Sequence, residues 1–487
     1  MKNKHKIKWS LKDYTRTILL YVGQALFTSV LFIIALYISS DGFNDFANFL
    51  SVADNIKECV YAVIAISLLM CVTYMYLFTE ERDFLHSTSK NLMLFAIITV
   101  SLIACFSIGK VNLYLRPFSL CALLCLLLIG KRPALFINCI FCFLMFLCDL
   151  FVTKHTGDIR HLYGALIINF ISGVFAIFTV DGEGSRLKVL SSSIFISLPV
   201  IISAVCLEYN SSISDLGLIA LFSLLSGFIS ITILMVALPL FEVAYGALTN
   251  FRLAELTDHK AKLIKKLIIH APGTFNHTNI VASLAEACSN AIGENPLLAR
   301  ACAYYHDIGK MKKPDFFTEN QSGRNPHDEL SPELSTDIIR SHTKDGANLI
   351  KSLRLPQVLA DAAEQHHGTM PISYFYAKAC KFTDGELDIE DFSYYGPKPQ
   401  TKINAIIMIC DACEAKVRTV SNRTHENVDK AVKEIIEERM DLEQFTECDI
   451  TFRELDIIRN TITNTLAGVY HERVKYPKLK TGNKHGN

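Results

Sequence analysis

The residue types best suited to chemistry are a histidine and an aspartate, His306 and Asp307, which end an apolar run that Gly309 stops. A neutral imidazole and a carboxylate side by side can offer nitrogen and oxygen ligands to one metal ion. Further residues of the same two types stand where helices begin, end or carry an apolar face, namely His277, His342, His366, His367 and Asp411. We therefore expect all these side chains to point into one cavity.

Asp411 is the most informative of these residues, because it lies inside an apolar helical stretch. An unpaired carboxylate buried there would cost several kcal/mol or be forced neutral, so it needs a partner or a metal. Taken singly, each histidine is also compatible with an ordinary hydrogen-bonded role. Together, five histidines and two aspartates fit a centre in which an aspartate bridges two ions about 3.5–4 Å apart. Metal-bound water would then supply hydroxide for phosphate-ester hydrolysis.

The amino-acid composition indicates that part of the chain lies in a membrane. Of its 487 residues 51% are hydrophobic, which is high for a soluble protein, and the length exceeds that of one ordinary domain. The formal net charge is zero, and no basic or acidic block is present, so nothing favours a nucleic-acid polymer as partner. Most of the 15 cysteines lie in apolar runs rather than in paired spacings, which indicates a reduced protein without a disulfide framework or cysteine metal site.

Eight apolar stretches approach the roughly 20 residues that a membrane helix requires. The first follows a basic N-terminus and is interpreted as a retained signal-anchor helix rather than a cleaved signal peptide. The predicted crossings are, approximately, 18–39, 57–78, 91–109, 112–129, 133–152, 162–180, 188–207 and 215–243. This arrangement of one span plus seven predicts a polytopic membrane region over 17–243.

Charge in the loops predicts the orientation of these spans. Residues 1–16 and the short loop at Lys131-Arg132 are basic, whereas the loop after the first span carries Asp41, Asp45 and Asp54. By the positive-inside rule the N-terminus and everything after 243 are cytoplasmic, and an even number of crossings agrees. The loop with Lys154, His155, Arg160 and His161 opposes this assignment, since it would then lie outside.

The region after the last span is polar, and its sequence pattern predicts helices throughout. Residues 244–269 are predicted to form an amphipathic connector helix. Its basic face is compatible either with contact to anionic lipid headgroups or with a solvated surface. Beyond it we expect a helix from His277 closed by Gly293, and another near Pro296–Tyr305. Three more are expected to carry the remaining candidate ligands: one that begins at Ser331-Pro332 with His342 at its far end, one around 358–366, and one over 401–417. The predicted fold class is all-α, with a transmembrane region followed by a helical bundle.

Several strings of the polar region resemble the HD superfamily of metal-dependent phosphohydrolases, and most closely its seven-transmembrane members that hydrolyse cyclic di-AMP. The matching strings are Ala271-Pro-Gly-Thr-Phe-Asn-His277, Leu298-Ala-Arg-Ala-Cys-Ala-Tyr-Tyr-His-Asp-Ile-Gly-Lys310, Asn325-Pro-His-Asp-Glu-Leu-Ser-Pro332, Ser341-His-Thr-Lys-Asp-Gly346, Gln365-His-His-Gly-Thr369, Gly396-Pro-Lys-Pro-Gln400 and Glu447-Cys-Asp449. The resemblance implies an HD domain over 270–477, followed by a disordered tail at 478–487.

The resemblance also implies roles for individual residues. One metal would be held by His277, His306, Asp307 and Asp411, and Asp307 would bridge to a second metal held by His342, His366 and His367. His306, Asp307 and Lys310 would be catalytic. Candidates for substrate phosphate are Lys310, Thr369 and Arg473, although the two cations are equally compatible with solvated surface positions and Thr369 with a helix-end hydroxyl.

Cofactors, partners and location follow from the same resemblance. It implies two divalent transition-metal ions, with manganese or iron favoured, although zinc also suits such ligands. The partners would be a cyclic dinucleotide and membrane lipid, and a homodimer is left open. The location would be the bacterial plasma membrane, with the catalytic domain in the cytoplasm.

Two features depart from the family pattern. Family members usually carry a large extracytoplasmic domain after the first span, whereas only about 16 residues, Asp41 to Ile56, occupy that place here. An external sensor of that type is therefore not expected. The second departure is Asn276, which stands before His277 where related sequences often have another histidine; the ligand itself is kept, so we expect activity.

Three functions remain compatible with the sequence. The first is a membrane-anchored phosphodiesterase that opens cyclic di-AMP to linear pApA. The second is an HD phosphohydrolase for cyclic di-GMP or another nucleotide, although Gly368-Thr369-Met370-Pro371 lacks the Gly-Tyr-Pro signature of the cyclic-di-GMP relatives. The third is a silent nucleotide receptor, which retention of all seven ligand positions disfavours.

Overall fold

The computed structural model describes residues 9–39, 46–151, 159–382 and 386–469. These residues form helices and turns, with a single isolated bridge between Pro371 and Ser393, so the predicted all-α fold class is confirmed. The chain divides into two compact units, Met1–Phe251 and Arg252–Asn487. Several sequence predictions lie outside the described residues: Arg473, the tail at 478–487, the basic start of the N-terminus, and the loop charges at Asp41, Asp45, Lys154 and His155.

The first unit is a helical bundle with apolar outer faces. Its helices are α1 (Leu11–Ser39), α2 (Phe46–Ser51), α3 (Ala53–Glu80), α4 (Arg82–His86), α5 (Thr88–Gly109), α6 (Leu120–Leu128), α7 (Lys131–Phe151), α8 (Ile159–Val180), α9 (Arg186–Ser191), α10 (Ser193–Leu207) and α11 (Ile213–Tyr245). Seven stretches of the described chain, with α9 and α10 counted together, are long and apolar enough to cross a membrane. In the most apolar part of each stretch, at most half of the residues are buried within the protein. The chain is a multi-pass membrane protein.

The predicted crossing at 112–129 differs from the others, because it is not one long helix. It starts as a 3-10 turn at Leu113–Leu115 and continues as α6, only nine residues long. Pro117 lies between the two segments and has no N–H to continue a helical ladder. Every residue from Leu120 to Leu126 in α6 is buried, so this short segment runs inside the bundle, surrounded by longer helices.

Contacts within this unit nevertheless show that α6 traverses the bundle. Before it, Arg116 pairs with Asp149 near the end of α7, at 2.7 Å. After it, Lys131 at the start of α7 pairs with Asp181 just beyond α8, also at 2.7 Å. Since α7 joins these two positions along its length, the segment from 116 to 131 runs from one end of the bundle to the other.

The two chain ends of the bundle lie at the same end. Near the start of α1, Arg16 donates a hydrogen bond to the carbonyl of His86 at 2.9 Å. Three residues later Ser89 lies 3.5 Å from the carbonyl of Tyr245, the last residue of α11. Eight traversals, seven by long stretches and one by α6, account for this placement.

The second unit consists of shorter, polar-faced helices. They are α12 (Asn250–Thr257, which starts at the unit boundary), α13 (Lys262–His270), α14 (Pro272–Ile292), α15 (Pro296–Tyr305), α16 (Pro332–Ser352), α17 (Gln357–Gln365), α18 (Ser373–Ala379), α19 (Lys402–Thr419), α20 (His425–Asp441) and α21 (Phe452–Val469). α14 packs against α15, α19 and α21, and α17 packs against α15, α16 and α19. The candidate ligands stand on these central helices.

Local sequence signals explain most of these helix ends. Gly293 ends α14 in a left-handed conformation with φ of 78°. Ser331 caps α16 by accepting a hydrogen bond from the N–H of Leu334, with Pro332 in the first turn, as predicted. Thr401 caps α19 in the same way through Asn404.

Two helix predictions need correction. α16 continues ten residues past His342, so His342 lies in its middle rather than at its far end. The single connector helix predicted over 244–269 is instead two helices, α12 and α13. Asp258 accepts a hydrogen bond from the N–H of Lys260 at 2.7 Å, a local turn that competes with helix continuation.

Candidate metal centre

Asp307 is at the middle of the candidate site, and its two carboxylate oxygens face different histidines. Oδ2 lies 3.3 Å from Nε2 of His306 and 3.8 Å from Nε2 of His277. Oδ1 lies 3.3 Å from Nε2 of His342 and 3.7 Å from Nε2 of His366. The side chain is 1% exposed, and neither oxygen has a hydrogen-bond partner of good geometry. Oδ2 is also 2.7 Å from the ammonium group of Lys310, whereas Oδ1 faces only imidazole nitrogens, so this buried carboxylate fits a bridge between two cations.

Three of the histidines are oriented by the carbonyls of their own helices. Nδ1 of His306 donates to the carbonyl of Ala303 at 2.6 Å, and Nδ1 of His342 donates to that of Ile339 at 2.6 Å. Nδ1 of His366 donates to the carbonyl of Ala363 at 2.9 Å. The second nitrogen of each ring, Nε2, is thereby aimed toward Asp307, the orientation that a metal-binding imidazole requires.

The remaining ligand candidates complete two groups around Asp307. Nε2 of His277 lies 2.9 Å from Oδ1 of Asp411, while Oδ2 of Asp411 lies 3.7 Å from Nδ1 of His367. Within each group the ligand atoms lie within 4.8 Å of one another. One group is His277, His306, Asp307 and Asp411, and the other is His342, His366 and His367. The structure thus brings all seven residues singled out from the sequence to one place.

The two groups differ in their protonation. Burial would lower the pKa of His277, but hydrogen bonds with Asp411 and Glu414 outweigh it and raise the pKa to about 9. Burial is likewise outweighed at His306, chiefly by Asp307, which raises the pKa to about 10. In the second group burial dominates and lowers the pKa of all three histidines: His342, His366 and His367. Without metal, the first group therefore carries protons and the second does not.

Both aspartates are held ionised. Burial would raise the pKa of Asp307, but the positive charges of Lys310 and His306 hold it well below its usual value. Burial would also raise the pKa of Asp411, and hydrogen bonds from His277 and His306 outweigh it. Two buried carboxylates with five imidazoles form a donor set suited to divalent transition metals.

Lys310 lies against the centre. Its ammonium group is 2.7 Å from Oδ2 of Asp307 and 3.0 Å from Oε1 of Glu319, and the side chain is mostly buried. Glu319 is fixed in turn by the hydroxyl of Thr274 at 3.0 Å. Burial would lower the pKa of Lys310, but Asp307 and Glu319 outweigh it and raise the pKa, so the group stays cationic.

Thr369 lies at the turn after the paired histidines and is tied to Gln444. Its N–H donates to Oε1 of Gln444 at 3.0 Å, and Nε2 of Gln444 donates to its hydroxyl oxygen at 2.9 Å. The ring of Tyr394 stacks on His367 with centroids 4.3 Å apart. Thr369 is an exposed residue, and its hydroxyl is held by the buried Gln444.

Four residues that contact the site were not predicted from the sequence: Glu319, Tyr394, Glu414 and Gln444. Glu414 had a usable signal, because it stands three residues after Asp411 and so lies on the same face of a helix. The other three reach the site from loops and turns, where no periodic pattern indicates a shared location.

Comparison with known proteins agrees with this geometry. The family model described as HD domain matches residues 274–416, and the one described as 7TM receptor with intracellular HD hydrolase matches residues 58–249. The chain is 38% identical over 425 residues to the cyclic-di-AMP phosphodiesterase PgpH of Bacillus subtilis (strain 168), which covers 84% of this chain and 59% of that protein. It is 43% identical over 322 residues to PgpH of Listeria monocytogenes serotype 1/2a (strain 10403S), covering 65% of this chain and 45% of that protein.

The chain thus spans between about half and three fifths of the length of these two relatives. A solved structure, that of the L. monocytogenes PgpH HD domain in complex with cyclic di-AMP, is 50% identical and has a TM-score of 0.42. It covers 44% of this chain and 99% of that chain. Taken together, the comparisons show that the chain combines an HD domain with a preceding membrane region similar to that of the 7TM receptors with intracellular HD hydrolase.

Proposed function

We propose that this protein is a membrane-anchored, metal-dependent phosphodiesterase that opens cyclic di-AMP to linear pApA. The main support for the proposal is that the two oxygens of the Asp307 carboxylate face two separate groups of histidines. The substrate rests on the PgpH relatives, which are named as cyclic-di-AMP phosphodiesterases.

In this proposal two divalent ions, manganese or iron, would bind at the centre. His277, His306, Asp307 and Asp411 would hold one ion, and His342, His366 and His367 would hold the second, with Asp307 shared. When bound, such a pair lowers the pKa of a water molecule and stabilises charge on the attacking and leaving oxygens. The donor set supports this, because nitrogen and carboxylate ligands suit both metals.

The protein's own residues orient the donor atoms and balance their charge. The backbone carbonyls behind His306, His342 and His366 fix the tautomer of each ring. Because the pKa of Asp307 is held well below its usual value, its carboxylate stays ionised at neutral pH. Low exposure of the donor atoms excludes bulk water and strengthens every electrostatic interaction at the reacting phosphate.

Lys310 and Thr369 are proposed to contact the substrate. Since the pKa of Lys310 is raised, the ammonium group acts through its charge on a phosphate oxygen rather than as a proton donor. Thr369 would offer its hydroxyl at the opposite histidine group. Arg473 is proposed as a further phosphate contact on its charge alone.

The reaction adds one water to one phosphodiester. The new bond forms between the water oxygen and phosphorus, and the bond from phosphorus to the 3′ oxygen breaks. The proton balance leaves a 5′-phosphate and a 3′-hydroxyl, which is linear pApA when the second phosphodiester stays intact.

The HD domain, proposed to span 270–477, is placed on the cytoplasmic side of the bacterial plasma membrane. Support comes from the basic loop at Lys131-Arg132 and from the start of α1 and the end of α11, which lie at one end of the bundle. The exposed lysines of α13, Lys262, Lys265 and Lys266, would contact anionic headgroups. A reporter active only outside the cytoplasm should be active in the loop at 208–212 and inactive after residue 487; the reverse pattern would reject this orientation.

The activity is tested with the full-length protein in detergent. The protein is stripped with a chelator, reloaded with manganese or iron, and given cyclic di-AMP, with products separated by chromatography. We expect pApA only from the reloaded protein. Undiminished turnover after complete stripping, or a product other than pApA, would reject the proposal.

A further inference from the structure

His277 differs from three of the other candidate ligand histidines in what holds its outer nitrogen. His306, His342 and His366 donate Nδ1–H to backbone carbonyls. Nδ1 of His277 instead donates to Oε2 of Glu414, at 2.5 Å. A carboxylate is a stronger acceptor than a carbonyl, so the contact is a charge-assisted hydrogen bond.

Glu414 is a buried charge with two partners, His277 and Arg418. Its side chain is 0% exposed, and its pKa is lowered because hydrogen bonds from His277 and Arg418 outweigh burial. Arg418 lies one turn later on α19 and forks onto the carboxylate, with Nη2 2.6 Å from Oε1 and 2.7 Å from Oε2. The other donor to this carboxylate is Nδ1 of His277, which reaches Oε2.

α19 therefore holds both nitrogens of the His277 ring. Asp411 takes Nε2 at 2.9 Å, and Glu414, three residues later on the same face, takes Nδ1 at 2.5 Å. The ring plane and its distance from Asp307 are consequently fixed by one rigid helix. Among the described residues, none of the other six candidate ligands makes hydrogen bonds to two side chains of a single helix.

We infer that Glu414, held in place by Arg418, is a positioning residue for the metal centre. It keeps the proton of His277 on Nδ1, aims Nε2 at Asp411 and Asp307, and makes that nitrogen a stronger donor toward a bound ion. The inference deepens the proposed function and rests on it. It assigns Glu414 to the first ligand group only, since the second group has its own backbone acceptors.

The principal alternative is that Glu414 and Arg418 form a structural ion pair inside the domain. Loss of such a pair would lower the thermal stability of the metal-free protein and disturb both ligand groups alike. The positioning role predicts instead a selective effect on one of two metals. The two roles therefore predict different metal affinities, which can be measured without any turnover of substrate.

The first test compares the metal affinities of the full-length wild type and Glu414→Gln in detergent, by competition with a chelator. A glutamine replaces one of the two acceptor oxygens by an NH2 donor and removes the negative charge, so it cannot reproduce the full set of bonds to His277 and Arg418. We expect one of the two metals to bind about 10- to 100-fold more weakly and the other to keep its wild-type affinity. His277→Ala and His342→Ala identify which affinity belongs to which group. Lys416→Gln is the matched control, since Lys416 stands on the same helix but pairs with Glu434 at the surface.

The second test uses Arg418→Gln, alone and combined with Glu414→Gln. If Arg418 acts through Glu414, it should weaken the same metal when changed alone and add nothing in the double variant. Wild-type affinities in Glu414→Gln, or equal loss at both groups, would overturn the inference. Should Glu414→Gln fail to fold, wild-type affinities in Arg418→Gln would overturn it as well. A wild type that binds no metal would instead contradict the proposed function itself.

Discussion

The Nε2 atoms of His342 and His366 face each other across 3.2 Å. Both rings use Nδ1–H for a backbone carbonyl, and both have lowered pKa values, so each Nε2 presents a lone pair at neutral pH. Two lone pairs at this distance repel, and a shared cation removes the repulsion. We therefore expect His342→Ala to lose one of two bound metals, measured by elemental analysis of the purified protein. His425→Ala, which removes an exposed histidine bonded to Asn464, should keep both.

Asp307→Asn should affect both metals, because the two oxygens of Asp307 serve both groups. We expect metal content below one equivalent and a loss of activity of more than about 100-fold, beyond the 10- to 100-fold typical of outer-shell partners. Circular dichroism should remain helical, since the surrounding helices still bury their apolar faces. Asp345→Asn, which removes a surface partner of Lys312, is the matched control. Two full equivalents in Asp307→Asn would contradict the bridging assignment.

The two metals should differ in pH dependence. In the metal-free protein His277 and His306 have pKa values of about 9 and about 10, so an ion binding there must displace protons. The affinity of that group should rise with pH from 7 to 9, by up to about tenfold per unit for each proton displaced. The other group, with lowered histidine pKa values such as about 3 for His367, should be nearly constant over this range. Metal titrations at several pH values measure both affinities, and parallel slopes would contradict this assignment.

Lys310→Gln should weaken catalysis without removing metal. Its ammonium group is the cation nearest to Asp307, and a hydrogen bond to a charged group contributes roughly 1.5–3 kcal/mol, so kcat/KM should fall about 10- to 100-fold. Lys312→Gln changes a neighbouring exposed lysine and should leave kcat/KM unchanged. Equal rates for the wild type and Lys310→Gln would remove Lys310 from the substrate contacts.

The sequence was most predictive where chemistry and helical periodicity coincide. Asp411 stood out because a carboxylate among isoleucines needs a partner, and Gly293 and Ser331 marked helix ends that the structure confirms. All of these signals are local, and they depend on residue types that few other positions tolerate.

Features set by single side-chain contacts or by a lone proline were missed or misplaced. The traversal through α6 is broken at Pro117, next to Arg116, which pairs with Asp149 33 positions away, and hydropathy registers neither feature. The connector breaks at Asp258, where one side-chain hydrogen bond outweighs an amphipathic pattern. Glu319 reaches Lys310 from a 3-10 turn that has no periodicity to place it.

Initial rates with cyclic di-AMP and cyclic di-GMP, each at low concentration, measure the substrate preference of the metal-loaded full-length protein. The two substrates share a backbone, so discrimination must come from base-edge hydrogen bonds, each contributing on the order of 1–3 kcal/mol. We expect cyclic di-AMP to be opened to pApA with a kcat/KM at least about tenfold higher. Equal or faster opening of cyclic di-GMP would contradict this expectation.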